Sequence, residues 1–328
     1  MQPSASKQIF WDTVPRPFFV LAPLANVTDA AFRRLIAKYS KPQGPHVFWT
    51  EFVSADGLVK GNREVLLRDL DFTEAERPIV AQFFTSTPEH MEAAAALARE
   101  LGFDGIDINM GCPDKSIEKQ GAGAKMITTP NVAREVIRAA KRGAGPLPVS
   151  IKTRLGYNKD ILEEWLPVIL AEEPAAMTLH ARTRKEMSKV VAHWDRVKRA
   201  VEIRNEMGSK TLIIGNGDVQ DIADARTKAA ESGADGVMLG RAVFGRPWLF
   251  NESLKPKLPE RLRIAVEHAK LFEELLGDIK SFALMKKHFK VYVEGFSGAK
   301  ELRVRLMETE NATEVEKIIE DFLQTGVY

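Results

Sequence analysis

Short apolar runs recur along the chain at intervals of about thirty residues, and each gives way to a stretch with three- and four-residue apolar spacing. The runs at 18–21, 47–50, 79–83, 105–109, 149–152, 176–179, 211–214 and 236–239 read as strands. Between them, Thr87-Pro88-Glu89 and Thr129-Pro130 each put a hydroxyl N-cap before a proline suited to the first helical position. The alanine-rich stretch 91–101 continues the first of these helices. Eight strand–helix pairs in about 250 residues predict an α/β fold of the (β/α)8 TIM-barrel type. An open doubly wound sheet is the runner-up, but it rarely needs so many units.

After Pro247-Trp248-Leu249-Phe250 the pattern changes. A proline-punctuated charged linker at 255–259 is followed by no strand-like run. Leu262, Val266, Ala269, Phe272 and Leu276 predict a helix over 259–276 that stops at Gly277. A second helix is expected at about 280–294. Thr313 and Glu316 form a capping box for a last helix striped by Val315, Ile318, Ile319, Phe322 and Leu323. The expected organisation is a barrel over 1–250 and a small helical domain over 251–328, too small to stand alone and so packed on the barrel.

Composition narrows the function classes. A net charge of +2, from 47 basic and 45 acidic residues, points to no particular partner, so any nucleic-acid surface must come from local segregation. The single cysteine excludes an intramolecular disulfide and any multi-cysteine metal cluster, and the six histidines add no metal spacing. Lys7 and an apolar run broken by Pro15, Pro17 and Pro23 read neither as a signal peptide nor as a membrane span. A soluble, cytoplasmic monomer with no metal and no membrane partner is expected.

That lone cysteine, Cys112, follows a strand whose Ile106, Ile108 and Met110 alternate with Asp107 and Asn109 and which Gly111-Cys112-Pro113 ends. Barrel enzymes keep their chemistry at the carboxyl ends of strands. The other exits are also polar or glycine: Pro23-Leu24-Ala25-Asn26, Gln82, Lys152-Thr153-Arg154, His180, Asn216-Gly217-Asp218 and Gly240-Arg241. Glycines at exits seven and eight let backbone N–H groups approach a phosphate, with Arg241 as a charged clamp. Lys152 has no carboxylate partner in its own strand and so is expected to face an electron-rich ligand, and Gln82 suits the edge of a flat heterocycle. A phosphate joined to an aromatic ring system suggests flavin mononucleotide (FMN). Gly121-Ala122-Gly123-Ala124 fails the dinucleotide fingerprint, and the stretch 114–129 reads as a long glycine-bearing loop beside the thiol.

These residues resemble those of the tRNA-dihydrouridine synthases, flavoenzymes that reduce uridine in transfer RNA. The resemblance spans nearly the whole chain. It rests on Ala22-Pro23-Leu24-Ala25-Asn26-Val27-Thr28-Asp29, Ile108-Asn109-Met110-Gly111-Cys112-Pro113, Ile151-Lys152-Thr153-Arg154-Leu155-Gly156, His180-Ala181-Arg182-Thr183-Arg184, Gly215-Asn216-Gly217-Asp218 and Asp235-Gly236-Val237-Met238-Leu239-Gly240-Arg241. It implies FMN held by Pro23, Leu24, Ala25, Gln82, Lys152, His180, Asn216, Gly217, Asp218, Gly240 and Arg241, with NADPH as reductant. It also implies Asn109 and Arg154 facing the uracil, hydride delivery to C6 and protonation of C5 by Cys112. The family more often has glycine, which tolerates positive φ at lower cost, where this chain has Asn26.

Basic residues gather in the tail, and with this resemblance they become an RNA surface: Lys280, Lys286, Lys287 and Lys290, then Lys300, Arg303 and Arg305. Arg182, Arg184, Lys185 and Lys189 would carry that surface to the barrel mouth. Two other readings stay open. A flavin barrel reducing a small molecule, such as a dihydroorotate dehydrogenase or an enone reductase, leaves the basic tail without a role. A non-catalytic RNA-binding module predicts colourless protein.

Overall fold

The computed structural model describes residues 9–61 and 63–326, so Lys7 lies outside it. Eight parallel strands pair in the order β1-β8-β7-β6-β5-β4-β3-β2. They are β1 Phe18–Leu21, β2 Phe48–Ser54, β3 Ile79–Phe84, β4 Gly105–Met110, β5 Val149–Arg154, β6 Ala176–His180, β7 Leu212–Asn216 and β8 Gly236–Leu239. The ring closes where the Leu21 N–H donates to Val47 O at 3.2 Å and the His46 N–H donates to Phe19 O at 2.9 Å. The expected TIM-type barrel is therefore the fold.

Two apolar layers and one polar layer follow from strand alternation. Outward residues such as Phe83, Ile106, Ile108 and Ile151 pack under the helices. Inward residues at the amino ends, Phe18, Val20, Trp49, Val80, Ala176, Leu212 and Ile214, fill the barrel floor with Trp11. Toward the carboxyl ends the inward positions turn polar, with Asp107 aligned to Ser150 and Asn109 aligned to Lys152. Among the described residues, the barrel interior is thus apolar at its floor and polar toward the carboxyl-end mouth.

Several local expectations shift. Helices Pro88–Glu100 and Pro130–Ala144 do begin at their prolines, but neither threonine side chain caps. The Thr129 hydroxyl turns back to Met126 O at 3.4 Å, and the Thr87 amide donates to the Thr85 hydroxyl at 2.9 Å. The stretch 114–129 is not an open loop: Asp114 caps a short helix Lys115–Glu118, and a tight turn Gly123–Thr128 follows.

After β8 the chain is helical, in Leu258–Leu276, Lys286–Tyr292, Ala299–Met307 and Ala312–Gln324. Gly277 ends the first at φ −61, without the left-handed turn that favours glycine. The expected 280–294 helix is a turn Phe282–Met285 followed by the shorter Lys286–Tyr292. The last helix is capped two residues earlier than expected, by Asn311 Oδ1 on the Glu314 N–H at 2.9 Å, because an asparagine at that position serves the same donors. Leu262, Phe272, Phe289, Leu302, Val315 and Ile319 make a core of their own. Tyr39 of helix Ala30–Ser40 ties it to the barrel through a 2.6 Å bond to Glu267. No helix among the described residues is long and apolar enough to cross a membrane.

Candidate functional site

The strand exits surround one cleft of about 1630 Å³. Pro23, Leu24 and Ala25 after β1, Asn109 and Cys112 at β4, and Lys152 and Arg154 on β5 all line it. His180 and Arg182 at β6, Asn216, Gly217 and Asp218 at β7, and Gly240 and Arg241 after β8 complete it. A site for one small ligand typically holds about 300–1,000 Å³, so this cleft has room for two ring systems together.

Cys112 is held by a short network. Asn109 Oδ1 accepts the N–H groups of Gly111 at 3.1 Å and Cys112 at 2.9 Å, fixing the turn. The Ala124 N–H donates to Cys112 O at 2.9 Å from the far side. Arg154 donates from Nε to Gly111 O at 2.7 Å and from Nη1 to Thr183 O at 3.2 Å, stitching the β4 and β6 loops together. The thiol packs beside Phe84, Ile117 and Ala122, and this burial pushes its pKa up, against the pull of Lys152 and Arg154. It therefore keeps its proton at neutral pH.

Lys152 is the converse case. Burial, reinforced by Arg154, lowers its pKa to about 8. Its ammonium forms no hydrogen bond or ion pair among the described residues, and Asp107, the carboxylate whose charge acts on it, is engaged by Ser150 and Gln82 at 2.5 Å each. Burial and the surrounding cations hold His180 well below its usual range, as a neutral imidazole.

At exits seven and eight, Gly217 at φ 128 and Asp218 at φ 49 bend the chain tightly. The backbone N–H groups of Gly217, Asp218 and Arg241 donate to no acceptor among the described residues. Asp218 accepts from Arg241 at 2.7 Å and from the Ala192 N–H at 2.9 Å, and it also pairs with Arg182. This donor set fits a ligand with a phosphate at one end and an electron-rich ring over Lys152.

Three expected positions differ. Gln82 does not reach the cleft: it is fully buried, donates to Asp107 and accepts from Asn109 Nδ2 at 3.1 Å, so it supports Asn109 from below. Arg182 is only 2% exposed and bonded to Val190 O at 2.7 Å, so it anchors Asp218 rather than extending a surface. Lys280 is buried in ion pairs with Glu51 and Asp69, each at 2.6 Å, and leaves the basic patch. Lys287 and Lys290 are exposed on Lys286–Tyr292, whereas Lys286 is half-buried. Asp107 and Glu118, which pairs with Arg184, escaped the sequence reading. A carboxylate in the interior of a fully buried strand was the available signal for Asp107.

The family model described as dihydrouridine synthase matches residues 20–326. A probable tRNA-dihydrouridine synthase from Staphylococcus aureus (strain COL) is 40% identical over 324 residues, covering 96% of each chain. A probable tRNA-dihydrouridine synthase 2 from Bacillus subtilis (strain 168) is 40% identical over 317 residues, covering 95% of this chain and 96% of that one. Among solved structures, a histamine dehydrogenase from Rhizobium sp. 4-9 superposes with a TM-score of 0.54 at 14% identity, over 77% of this chain and 48% of its own. At that identity the likeness bears on the barrel alone.

Proposed function

We infer the activity from one premise: the chain belongs to the dihydrouridine synthase family, and it forms dihydrouridine in transfer RNA as a flavin-dependent oxidoreductase. The observation that carries the detailed reading is that Cys112, Lys152, His180 and Gly240 line one cleft large enough for a cofactor and a base. The residues would hold FMN, which would supply the hydride for the uracil C5–C6 double bond, with NADPH as the proposed external reductant.

The residues divide the remaining work. Backbone N–H groups at Gly217, Asp218 and Arg241, with the Arg241 guanidinium, are proposed to hold the phosphate. Pro23, Leu24, Ala25, Asn216, Gly240 and neutral His180 would flank the cofactor, and the Lys152 ammonium would favour an electron-rich ring there. Cys112 gives its proton to uracil C5. A thiol kept protonated by burial suits that role better than a thiolate does. Asn109 and Arg154 hold the Cys112 turn, and their remaining N–H groups meet the uracil. Gln82 acts only through Asn109.

Exposed Lys287 and Lys290, with Lys286 beside them, are proposed to meet phosphates of the tRNA. The barrel over 1–250 would then carry the chemistry and 251–328 the RNA docking, in a cytoplasmic monomer. Mass analysis of nucleosides from tRNA incubated with the flavin-loaded protein and NADPH tests the reading. Uridine heavier by two hydrogens is expected, and unmodified uridine throughout would overturn it.

A further inference from the structure

The two parts of the chain meet at a buried charge cluster outside the cleft. Lys280 stands just beyond helix Leu258–Leu276, and its Nζ lies 2.6 Å from Glu51 Oε2 and 2.6 Å from Asp69 Oδ1, with the lysine side chain only 13% exposed. Glu51 belongs to β2. Its other oxygen, Oε1, accepts the backbone N–H of Asn26. Asn26 has φ 56, a left-handed conformation, and directly follows Pro23, Leu24 and Ala25, which form the β1 wall of the cleft.

Each link therefore depends on the one before it. The Glu51 carboxylate accepts from the Asn26 amide and holds that residue in the left-handed conformation, which asparagine tolerates better than most L-residues but glycine takes at lower cost. Glu51 is 5% exposed and sits near a second buried carboxylate, Asp29, whose Oδ1 caps the next helix at the Phe32 N–H. Burying a carboxylate carries a desolvation penalty that a cation in contact offsets. That cation comes from the helical domain. Arg68 makes a second strap across the same seam, to Leu275 O and to both oxygens of Asp278 at 3.1 Å, and has no hydrogen bond to Glu51 or to the turn 23–26.

We propose that Lys280 is a positioning residue: by holding the Glu51 carboxylate against the Asn26 amide, it makes seating of the C-terminal helices a condition for the shape of the cofactor-lining turn 23–26. The proposal rests on the cofactor reading only for what that turn contacts.

The test compares full-length Lys280→Met, Lys280→Arg and Arg68→Met proteins. In flavin-free protein, hydrogen exchange read by mass spectrometry should rise in the peptide spanning residues 22–29 for Lys280→Met and stay at the wild-type rate for Lys280→Arg and Arg68→Met. FMN titration followed by quenching of flavin fluorescence should show Kd raised about tenfold in Lys280→Met and little changed in Arg68→Met. Adding Asn26→Gly to Lys280→Met should recover much of the affinity, since glycine takes the left-handed turn without help. If Lys280→Met does not fold, Glu51→Gln, which keeps an acceptor oxygen but no charge, should show the same exchange pattern. Unchanged exchange at 22–29, or an equal effect from Arg68→Met, overturns the proposal. Wild-type protein that fails to bind FMN overturns the cofactor reading instead, and leaves the exchange result to decide this one.

Discussion

Gly123→Ala is a substitution whose effect on the thiol can be worked out atom by atom. Gly123 has φ 60, and a Cβ there would lie 2.7 Å from Cys112 O, 2.9 Å from Ile117 Cγ2 and 3.4 Å from Cys112 Cβ. A relaxed carbon–oxygen contact is about 3.3 Å or more, so the segments must separate by roughly 0.6 Å. The left-handed conformation costs alanine about 1–2 kcal/mol. Distorting the Ala124 N–H bond to Cys112 O adds about 0.5–1.5 kcal/mol. Since a misplacement of about 1 Å costs roughly 100-fold in rate, a shift of this size should slow proton delivery about tenfold or more.

The residues proposed to hold the cofactor come from other exits and should be unaffected. Gly208→Ala is the control, because Gly208 has φ 63 but nothing within 4 Å of the added Cβ: strain without displacement. The assay is single-turnover oxidation of pre-reduced enzyme by tRNA, with FMN affinity and Tm measured alongside. Gly123→Ala should lose rate at unchanged FMN affinity, and Gly208→Ala should lose only Tm. A folded Gly123→Ala protein with the wild-type single-turnover rate would refute the reasoning.

The pH dependence of FMN binding should follow Lys152, whose pKa of about 8 in the ligand-free protein is set mainly by burial. The cation is the binding form, so affinity should hold below about pH 8 and fall above it, while Lys152→Met binds weakly and without that fall; affinity that rises from pH 7 to 9 would contradict the assignment. Charge reversal at exposed Lys287 and Lys290 should weaken tRNA binding and reduce the magnitude of its log–log salt slope by about 2 while leaving the flavin spectrum unchanged, as read in a binding titration across salt concentrations. Undiminished affinity would move the RNA surface elsewhere.

The barrel was legible because burial imposes its own rhythm on the chain. The runs at β1 and β8 matched to the residue, whereas β5, β6 and β7 each extend one or two residues beyond their apolar runs, through Arg154, His180 and Asn216. Their last residues are polar because those three side chains line the cleft, and apolar patterning has no means of marking that. Cys112 stood out through its Gly/Pro-bounded exit, and the resemblance supplied the rest. What stayed hidden depended on distant partners. Lys280 reads as one more basic residue until Glu51, 229 positions away, is found against it. Gln82 is a polar residue near a strand exit that turns to protein neighbours rather than to the cleft, and Arg182, although it lines the cleft, directs its guanidinium to Val190 and Asp218.

The claim on which the account turns is that a protonated thiol acts on the same pyrimidine as the cofactor bound beside it. It is tested by following oxidation of pre-reduced Cys112→Ala enzyme on mixing with tRNA. The substituted protein should bind FMN and tRNA as wild type does while its oxidation by tRNA slows by about 100-fold or more. Oxidation at the wild-type rate, with dihydrouridine appearing in the tRNA, would take Cys112 out of the chemistry.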